Sequence, residues 1–395
     1  MLQRLKFEMS AMVDSMLDRI PSDLIINGRI CDPAMGGGQF LRAVEARKRA
    51  AGKSSDEIRS TVLGVESNVM RRDYVVNRHG LVGTYVAEDT LGSAMSGMKF
   101  DVIIGNPPYN ETESNSRKPL WPQFAALAND HLVDGGYLAF VSPPSWVVPK
   151  KNKSLDYGFY QNNQITAAHF FDDAAKKQHF SVGSEVSWYV IQKSPRTGAT
   201  KVTQHLGNHT ETHDLEFTFD RSLPKIYTKH SLGIHQKLLS ATAVPWIYNL
   251  EFHNQRLRKR GDLSDTQTDH FANACYFSPV LKRYTHNKFT HFAPWKLMLG
   301  VTNTIDKAWI DSDCSVTEDV RYILMRDQQQ AQNALSAFRT TLYRYIGAMY
   351  RQGRNMGGLD MIPQLDWDQT WTDDSVAAAV GLSPEELEYA SDYIS

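Results

Sequence analysis

Asn106-Pro107-Pro108-Tyr109 joins a side-chain amide, two backbone-fixing rings and an aromatic face in four residues. Each proline fixes its own φ and disfavours helix at the residue before it, so the Asn and Tyr side chains are held. The chemistry that suits such a group is methylation of an exocyclic amine. The N6 nitrogen of adenine is a poor nucleophile because its lone pair is delocalised into the ring. The Asn106 side-chain oxygen and the Pro107 carbonyl can each accept one N6 hydrogen. Two acceptors off the ring plane would draw the nitrogen toward tetrahedral geometry and free the lone pair. Tyr109 offers a face on which an extruded base can stack. The sulfonium of S-adenosylmethionine is already an excellent leaving group, so neither a metal nor a covalent intermediate is needed. Asn-Pro is also a common turn former at plain strand exits, so the reading depends on what precedes the tetrapeptide.

The elements that must position it are legible upstream. The apolar run at residues 100–105 predicts a buried parallel strand ending at Gly105. In open α/β sheets, ligands bind beyond the C-terminal ends of strands. Before it, Arg29-Ile30-Cys31-Asp32-Pro33-Ala34-Met35-Gly36-Gly37-Gly38-Gln39-Phe40-Leu41 reads as a short strand, a glycine-rich turn and the start of a helix over about residues 40–51. Glycines allow close backbone approach to a ligand, and the helix start adds unsatisfied N–H groups. A second strand ends in Glu66, where an acid can take ribose hydroxyls, and a third ends in Asp89. The interval between the glycine turn and Glu66 is about ten residues longer than in the dinucleotide motif. The polar stretch 52–56 is read as an inserted loop. Successive strands thus end in Asp32, Glu66, Asp89 and Asn106.

With these residues in view, Asp32-Pro33-Ala34-x-Gly36-x-Gly38-x-Phe40-Leu41, Glu66, Asp89 and Asn106-Pro107-Pro108-Tyr109 resemble the amino-group DNA methyltransferases that make N6-methyladenine, in the gamma motif order. The resemblance covers roughly residues 1–195. It implies an α/β fold, a Rossmann-like seven-strand methyltransferase sheet, followed by a C-terminal α+β DNA-recognition domain. It implies S-adenosyl-L-methionine as cofactor, with Asp32, Pro33, Gly36 and Gly38 near its methionine part. Glu66 would hold the ribose, Asp89 the adenine amino group, and Asn106 would face the cofactor as well as the target amine. Catalysis would rest on Asn106, Pro107 and Tyr109. Phe180, in a segment between the sixth and seventh strands, would cover the second face of the flipped base. Gly37 and Met35 stand where the family often has Ser or Thr and Cys, and the Thr-Pro element ahead of the first helix is absent. Two other readings stay open: a glutamine-amide protein methyltransferase, which shares the Asn-Pro-Pro-Tyr loop, and a DNA-binding protein whose methylase domain is inactive.

The rest of the chain sets the context. A hydrophobic content of 42%, a charged content of 22% and a net charge of −1 describe an ordinary globular protein. Any nucleic-acid surface must therefore be local. Cys31, Cys275 and Cys314 form no metal pattern and suggest a reducing compartment. No apolar run reaches membrane-spanning length and no signal peptide precedes the first helix. We therefore expect a cytoplasmic monomer, with no metal and no membrane contact. Its partners would be double-stranded DNA and a cognate restriction enzyme. An amphipathic helix opens the chain, and another is predicted over residues 335–349. Strand–helix alternation stops near residues 194–198. The expected domains are 1–195 for methyl transfer, 196–350 for target recognition, and an acidic helical tail at 351–395.

Residues 221–300 hold twelve Lys/Arg against four Asp/Glu, with interleaved aromatics and a dense run at Arg256, Arg258, Lys259 and Arg260. Such a mixture suits phosphate binding, although a charge run is also the ordinary dress of a solvated face. Neutralising these four residues together should weaken DNA binding and flatten its salt dependence, by roughly one log–log unit for each phosphate that is no longer neutralised. Binding titrations across a salt series would show this. An unchanged slope would mean that the run does not meet DNA.

Overall fold

The computed structural model describes the chain except residue 1 and residues 92–93, 111–118, 148–157, 181–184, 220, 249–256, 258–260, 303 and 351–356. It forms two compact units, residues 1–219 and 220–395.

The first unit is a nine-stranded sheet of β1 (Ile30–Asp32), β2 (Val62–Val65), β3 (Thr84–Val86), β4 (Phe100–Gly105), β5 (Leu132–Ser142), β6 (Asn163–Phe171), β7 (Ser187–Pro195), β8 (Thr200–Leu206) and β9 (His209–Leu215), in the order 3-2-1-4-5-7-6-8-9. β1 to β5 pair in parallel, and β7 runs antiparallel between β5 and β6. β1 and β2 are buried at every position, as strands covered on both faces must be. The order reverses direction between β1 and β4, which makes a topological switch point there.

The expected seven strands are present, and a hairpin lengthens the sheet. β8 joins β6 in parallel and β9 closes the hairpin, so the unit runs to Phe219 rather than ending at residue 195. The hairpin's alternating polar sequence belongs to a half-solvated edge, which is why it resembles a change of domain. The polar stretch at 52–56 is also resolved differently. Ser54 caps a short helix over Ser55–Thr61 in a reciprocal pair with Glu57.

Helices α1 (Leu2–Leu17), α2 (Ser22–Asn27) and α3 (Gln39–Ala50) contribute to the core. α3 also carries a buried acid. Glu45 is fully enclosed and accepts from the backbone N–H of Val82 at 3.0 Å and of Gly83 at 2.9 Å, from the Tyr85 hydroxyl, and from Arg49 at 2.8 Å. This carboxylate fixes the loop that feeds β3.

The second unit holds a four-stranded antiparallel sheet and a three-stranded sheet. Its strands are β10 (Ile247–Tyr248), β11 (Asn273–Ser278), β12 (Leu281–Thr285), β13 (Trp295–Gly300), β14 (Trp309–Asp311), β15 (Cys314–Val316) and β16 (Val320–Met325). The helix predicted over 335–349 is two helices, Gln328–Phe338 and Thr341–Met349. The chain breaks at Arg339-Thr340, where the Thr340 hydroxyl donates to Ala337 O at 2.7 Å. Both helices bury apolar residues in one core, so the periodicity runs on through the break. The tail is not a separate piece: Met361, Ile362, Trp371, Val376 and Ala390 belong to that same core. Its helices Asp373–Val380 and Pro384–Ile394 are capped by Thr372 with Ser375 and by Ser383 with Glu386.

Glu45→Ala should destabilise the protein by about 2–4 kcal/mol, because it strands two buried N–H groups and a hydroxyl. Glu45→Gln keeps an acceptor and should lose less. Urea unfolding of the two variants would show the ranking.

Candidate active site at the sheet switch point

β1 and β4 are parallel neighbours, Cys31 beside Ile103, so Asp32 leaves β1 one residue short of Gly105 in register and its carboxyl reaches that glycine. The Asp32 carboxyl is fully buried. Its Oδ1 accepts the Ala34 N–H at 3.0 Å. A Cβ on residue 105 would stand 2.7 Å from that same oxygen, so only glycine leaves room for the carboxyl. Among the described residues Oδ2 has no hydrogen-bond partner. Burial, opposed by the Ala34 N–H and helped by nearby Glu66, pushes the Asp32 carboxyl up to about 7.

The glycine turn is pinned over β2. Met35 N–H donates to Val65 O at 2.9 Å, and Gly38 N–H returns to Met35 O at 2.7 Å. Gly36 and Gly38 have φ of 47° and 71°, which other residues adopt with strain. A Cβ on Gly38 would also strike Val75 at 2.7 Å. Gly38 caps α3 without a side-chain bond, leaving first-turn N–H groups open. Pro33 is buried, and its carbonyl takes the Thr90 hydroxyl, tying the loop after β3 to the turn. Glu66 is nearly buried. Its Oε1 accepts the Asn68 N–H at 3.0 Å and lies 3.6 Å from Arg71. Asp89 is exposed and takes the Leu91 N–H at 3.1 Å.

Beyond Gly105, Asn106 and Pro108 are exposed, Pro107 is buried and Tyr109 is half-buried. The loop is clamped at its foot: Tyr109 O accepts from Leu120 N–H at 2.9 Å, and Asn110 bridges Pro119. Gly105, Phe140 and Tyr189 are in lateral register across three strands. Burial, with Tyr189 nearby, holds the Tyr109 hydroxyl well above its ordinary value. The Tyr189 hydroxyl lies 2.7 Å from that of Tyr160, and its ring packs on Trp146 at 4.7 Å. The Trp146 indole N–H donates to Ser187 Oγ at 3.1 Å. Sequence reasoning assigned this aromatic wall no role. Its only signal was Pro143-Pro144-Ser145-Trp146 after the fifth strand.

The structure brings Asp32, Pro33, Gly36, Gly38, Glu66 and the Asn106–Tyr109 loop to one end of the sheet. Phe180 is 7% exposed and packs in the core, edge-on to Phe171 at 5.1 Å. Arg256, Arg258, Lys259 and Arg260 lie outside the described residues, while Leu257 between them is buried in the core of the second unit. Among the described residues no group of three His, Cys, Asp or Glu is arranged to hold a metal ion, and no helix is long and apolar enough to cross a membrane.

Residues 64–176 match the Eco57I restriction-modification methylase family. This methylase segment contains Glu66, Asp89 and Asn106-Pro107-Pro108-Tyr109. The glycine turn lies before it and Phe180 after it. The match spans less than a third of the chain. An uncharacterized adenine-specific methylase of Mycoplasma pneumoniae is 33% identical over 84 residues, which are 20% of this chain and 19% of that protein. The chain thus spans about a fifth of that relative's length. Among solved structures, the type IIG restriction endonuclease BpuSI is 11% identical with a TM-score of 0.46, over 99% of this chain and 65% of that one. The type IIL restriction-modification enzyme MmeI in complex with DNA is 10% identical with a TM-score of 0.44, over 100% and 73%. The M protein of the type I restriction enzyme EcoKI is 14% identical with a TM-score of 0.37, over 47% of each chain.

Asp32 makes the methylase segment's neighbourhood pH-sensitive. Its folded value, about 7, exceeds its unfolded one. The stability it contributes is therefore complete below the unfolded value and is lost as pH rises through about 7. Asp32→Asn should flatten that decline. The gain over wild type between pH 4 and pH 8 should be at most about 4 kcal/mol. Urea midpoints across that range would show it, and parallel wild-type and variant curves would contradict it.

Proposed function

We propose that the chain transfers a methyl group from S-adenosyl-L-methionine to N6 of adenine in a specific duplex DNA sequence, with the target base flipped out. The observation that carries this reading is the placing of Asn106. It stands one residue beyond the glycine that seats the Asp32 carboxyl, at the switch point of the sheet. Three features fit the cofactor. A buried carboxylate oxygen without a partner suits a cationic ligand. The glycine turn leaves open backbone, and Glu66 stands at the tip of β2 for ribose hydroxyls. When bound, S-adenosylmethionine supplies an electrophilic methyl on a positively charged sulfur.

The chain's own residues do the rest. The exposed Asn106 amide oxygen and the Pro107 carbonyl accept the two N6 hydrogens, which helps most as the nitrogen becomes tetrahedral. Tyr109, braced on the side of Tyr189, receives one face of the base. Phe180 would reach the other face only by leaving its packing on Phe171. Asp89, exposed beyond β3, remains our candidate for the cofactor's adenine amino group. The second unit would supply target recognition, including the basic run at Arg256, Arg258, Lys259 and Arg260. A cognate restriction enzyme is a fitting partner for a protein that shares the Eco57I methylase segment.

Labelled cofactor, offered with duplex DNA or with total cell protein, tests the reading. Label should enter DNA as N6-methyladenine, whereas label in protein would favour glutamine-amide methylation. Asn106→Ala should lower turnover about 10²–10³-fold, as loss of one transition-state hydrogen-bond partner does. Cofactor affinity by calorimetry should fall far less than turnover. A variant that keeps wild-type turnover would remove the loop from the mechanism.

A further inference from the structure

The β11–β12 hairpin of the second unit is anchored at its base on both faces, the Tyr276 hydroxyl donating to Asp311 at 2.8 Å on one of them. Cys275 and Phe277 sit in a core with Phe289, Cys314 and Val316. Strand alternation turns Tyr276 the other way. Its cross-strand partner Lys282 places an ammonium 5.6 Å from the Tyr276 ring centre. The connecting turn reads Ser278-Pro279-Val280-Leu281. Hairpin tips favour Asn, Gly and Asp, yet this one is apolar. Val280 is 94% exposed and Leu281 is 38% exposed, so Val280 gains nothing from burial and Leu281 little. The tip is nonetheless ordered: Ser278 Oγ accepts the N–H of Val280 at 3.3 Å and of Leu281 at 3.1 Å.

The charges in the hairpin's own stretch of sequence have one sign, although Lys296 among them is buried and donates to the Phe292 and Pro294 carbonyls. Residues 270–305 contain no Asp or Glu, and hold four Lys/Arg and three His. Arg283 is taken by Asp265 at 2.8 Å. Lys282 and Lys288 are exposed, the latter 4.9 Å from the ring centre of Phe292. β11 is the central strand of the sheet β12-β11-β15, and β15 pairs it only as far as Tyr276, so the end of the hairpin stands beyond the third strand as a two-stranded piece, a shape that a major groove admits. Preordered apolar side chains at a cationic tip are the kind of wedge that enters between base steps.

We propose that this ribbon is a DNA-contacting element, in which Lys282 and Lys288 meet phosphates and Val280-Leu281 is an apolar wedge inserted into the duplex. The proposal rests on the reading of the chain as a DNA methylase. Its occupant is duplex DNA because the face is cationic and aromatic and its apolar part is a narrow tip.

The test uses the full chain and a fluorescein-labelled mixed-sequence duplex, with anisotropy measured across a salt series. All three side chains are exposed, so melting temperatures should not move. Val280→Glu should weaken binding on the order of tenfold, comparable to unstacking one base from an aromatic ring. The double variant Lys282→Gln/Lys288→Gln should lower the salt slope by roughly 2. Wild-type affinity and slope in both variants would overturn the proposal. So would a change of oligomeric state in Val280→Glu with DNA binding intact, which would make the tip a junction between copies. A wild-type protein that binds the duplex but leaves no N6-methyladenine would sink the methylase reading alone, provided the ribbon variants still bind more weakly.

Discussion

The Asp32 carboxyl occupies the space that any side chain at residue 105 would need. Parallel strands lie only about 4.8 Å apart, and β1 and β4 are paired up to Cys31 and Ile103. The carboxyl therefore lies against the backbone of β4 immediately before the chain leaves the sheet at Asn106. That close approach couples the glycine turn to the amide loop. It also removes water from a charged group, which is why Asp32 is held near 7 rather than in the usual acid range. Nothing among the described residues satisfies its second oxygen. A fold that leaves a buried acid so placed keeps unfavourable energy that a cationic ligand would release.

The surroundings hold this arrangement mainly through backbone. The glycine turn is tied to β2 by Met35 and to the loop after β3 by Thr90, and the amide loop is tied to the following helix by Leu120. Backbone-anchored groups lose little conformational freedom when a ligand arrives. Tyr109 is held by its own carbonyl in that bond to Leu120, and Tyr189, part of a wall with Tyr160 and Trp146, lies near its hydroxyl. The hydroxyl pair and the indole bond to Ser187 satisfy the polar atoms of that wall, so an apolar platform is built without stranded donors.

Much of this was legible in the sequence, because strand tips punctuate it. A buried parallel strand is a short apolar run, and the residue after it is where function can sit. Asp32, Glu66 and Asn106 were readable on that rule. Two other features were not. The β8–β9 hairpin has the alternating polarity of an edge, and its pairing with β6 is long-range information that no local pattern carries. The helix break at Arg339-Thr340 is silent because both halves bury residues in one core with uninterrupted spacing. Phe180 shows a third kind of limit. An aromatic between two strands reads the same whether it packs inward or faces a ligand, and here it packs against Phe171.

The net charge of −1 conceals a division of labour among charges. Acids at the ends of β1 and β2, Asp32 and Glu66, and Asp89 in the loop after β3 would repel a phosphate backbone but suit a cation. Nine acids follow residue 359, in a stretch with no Lys or Arg, and free acids there would oppose a DNA-facing second unit. Several of them are engaged within the protein. Asp360 accepts from the backbone and hydroxyl of Ser222 at 2.8 and 2.7 Å, and Asp373 accepts the Thr341 N–H at 2.5 Å. Asp368 pairs with Arg326 at 2.8 Å, and Glu386 with Lys237. These four acids join the tail to its own unit. Lys282 and Lys288, exposed in a stretch with no acid of its own, thereby keep charge that suits an external anion.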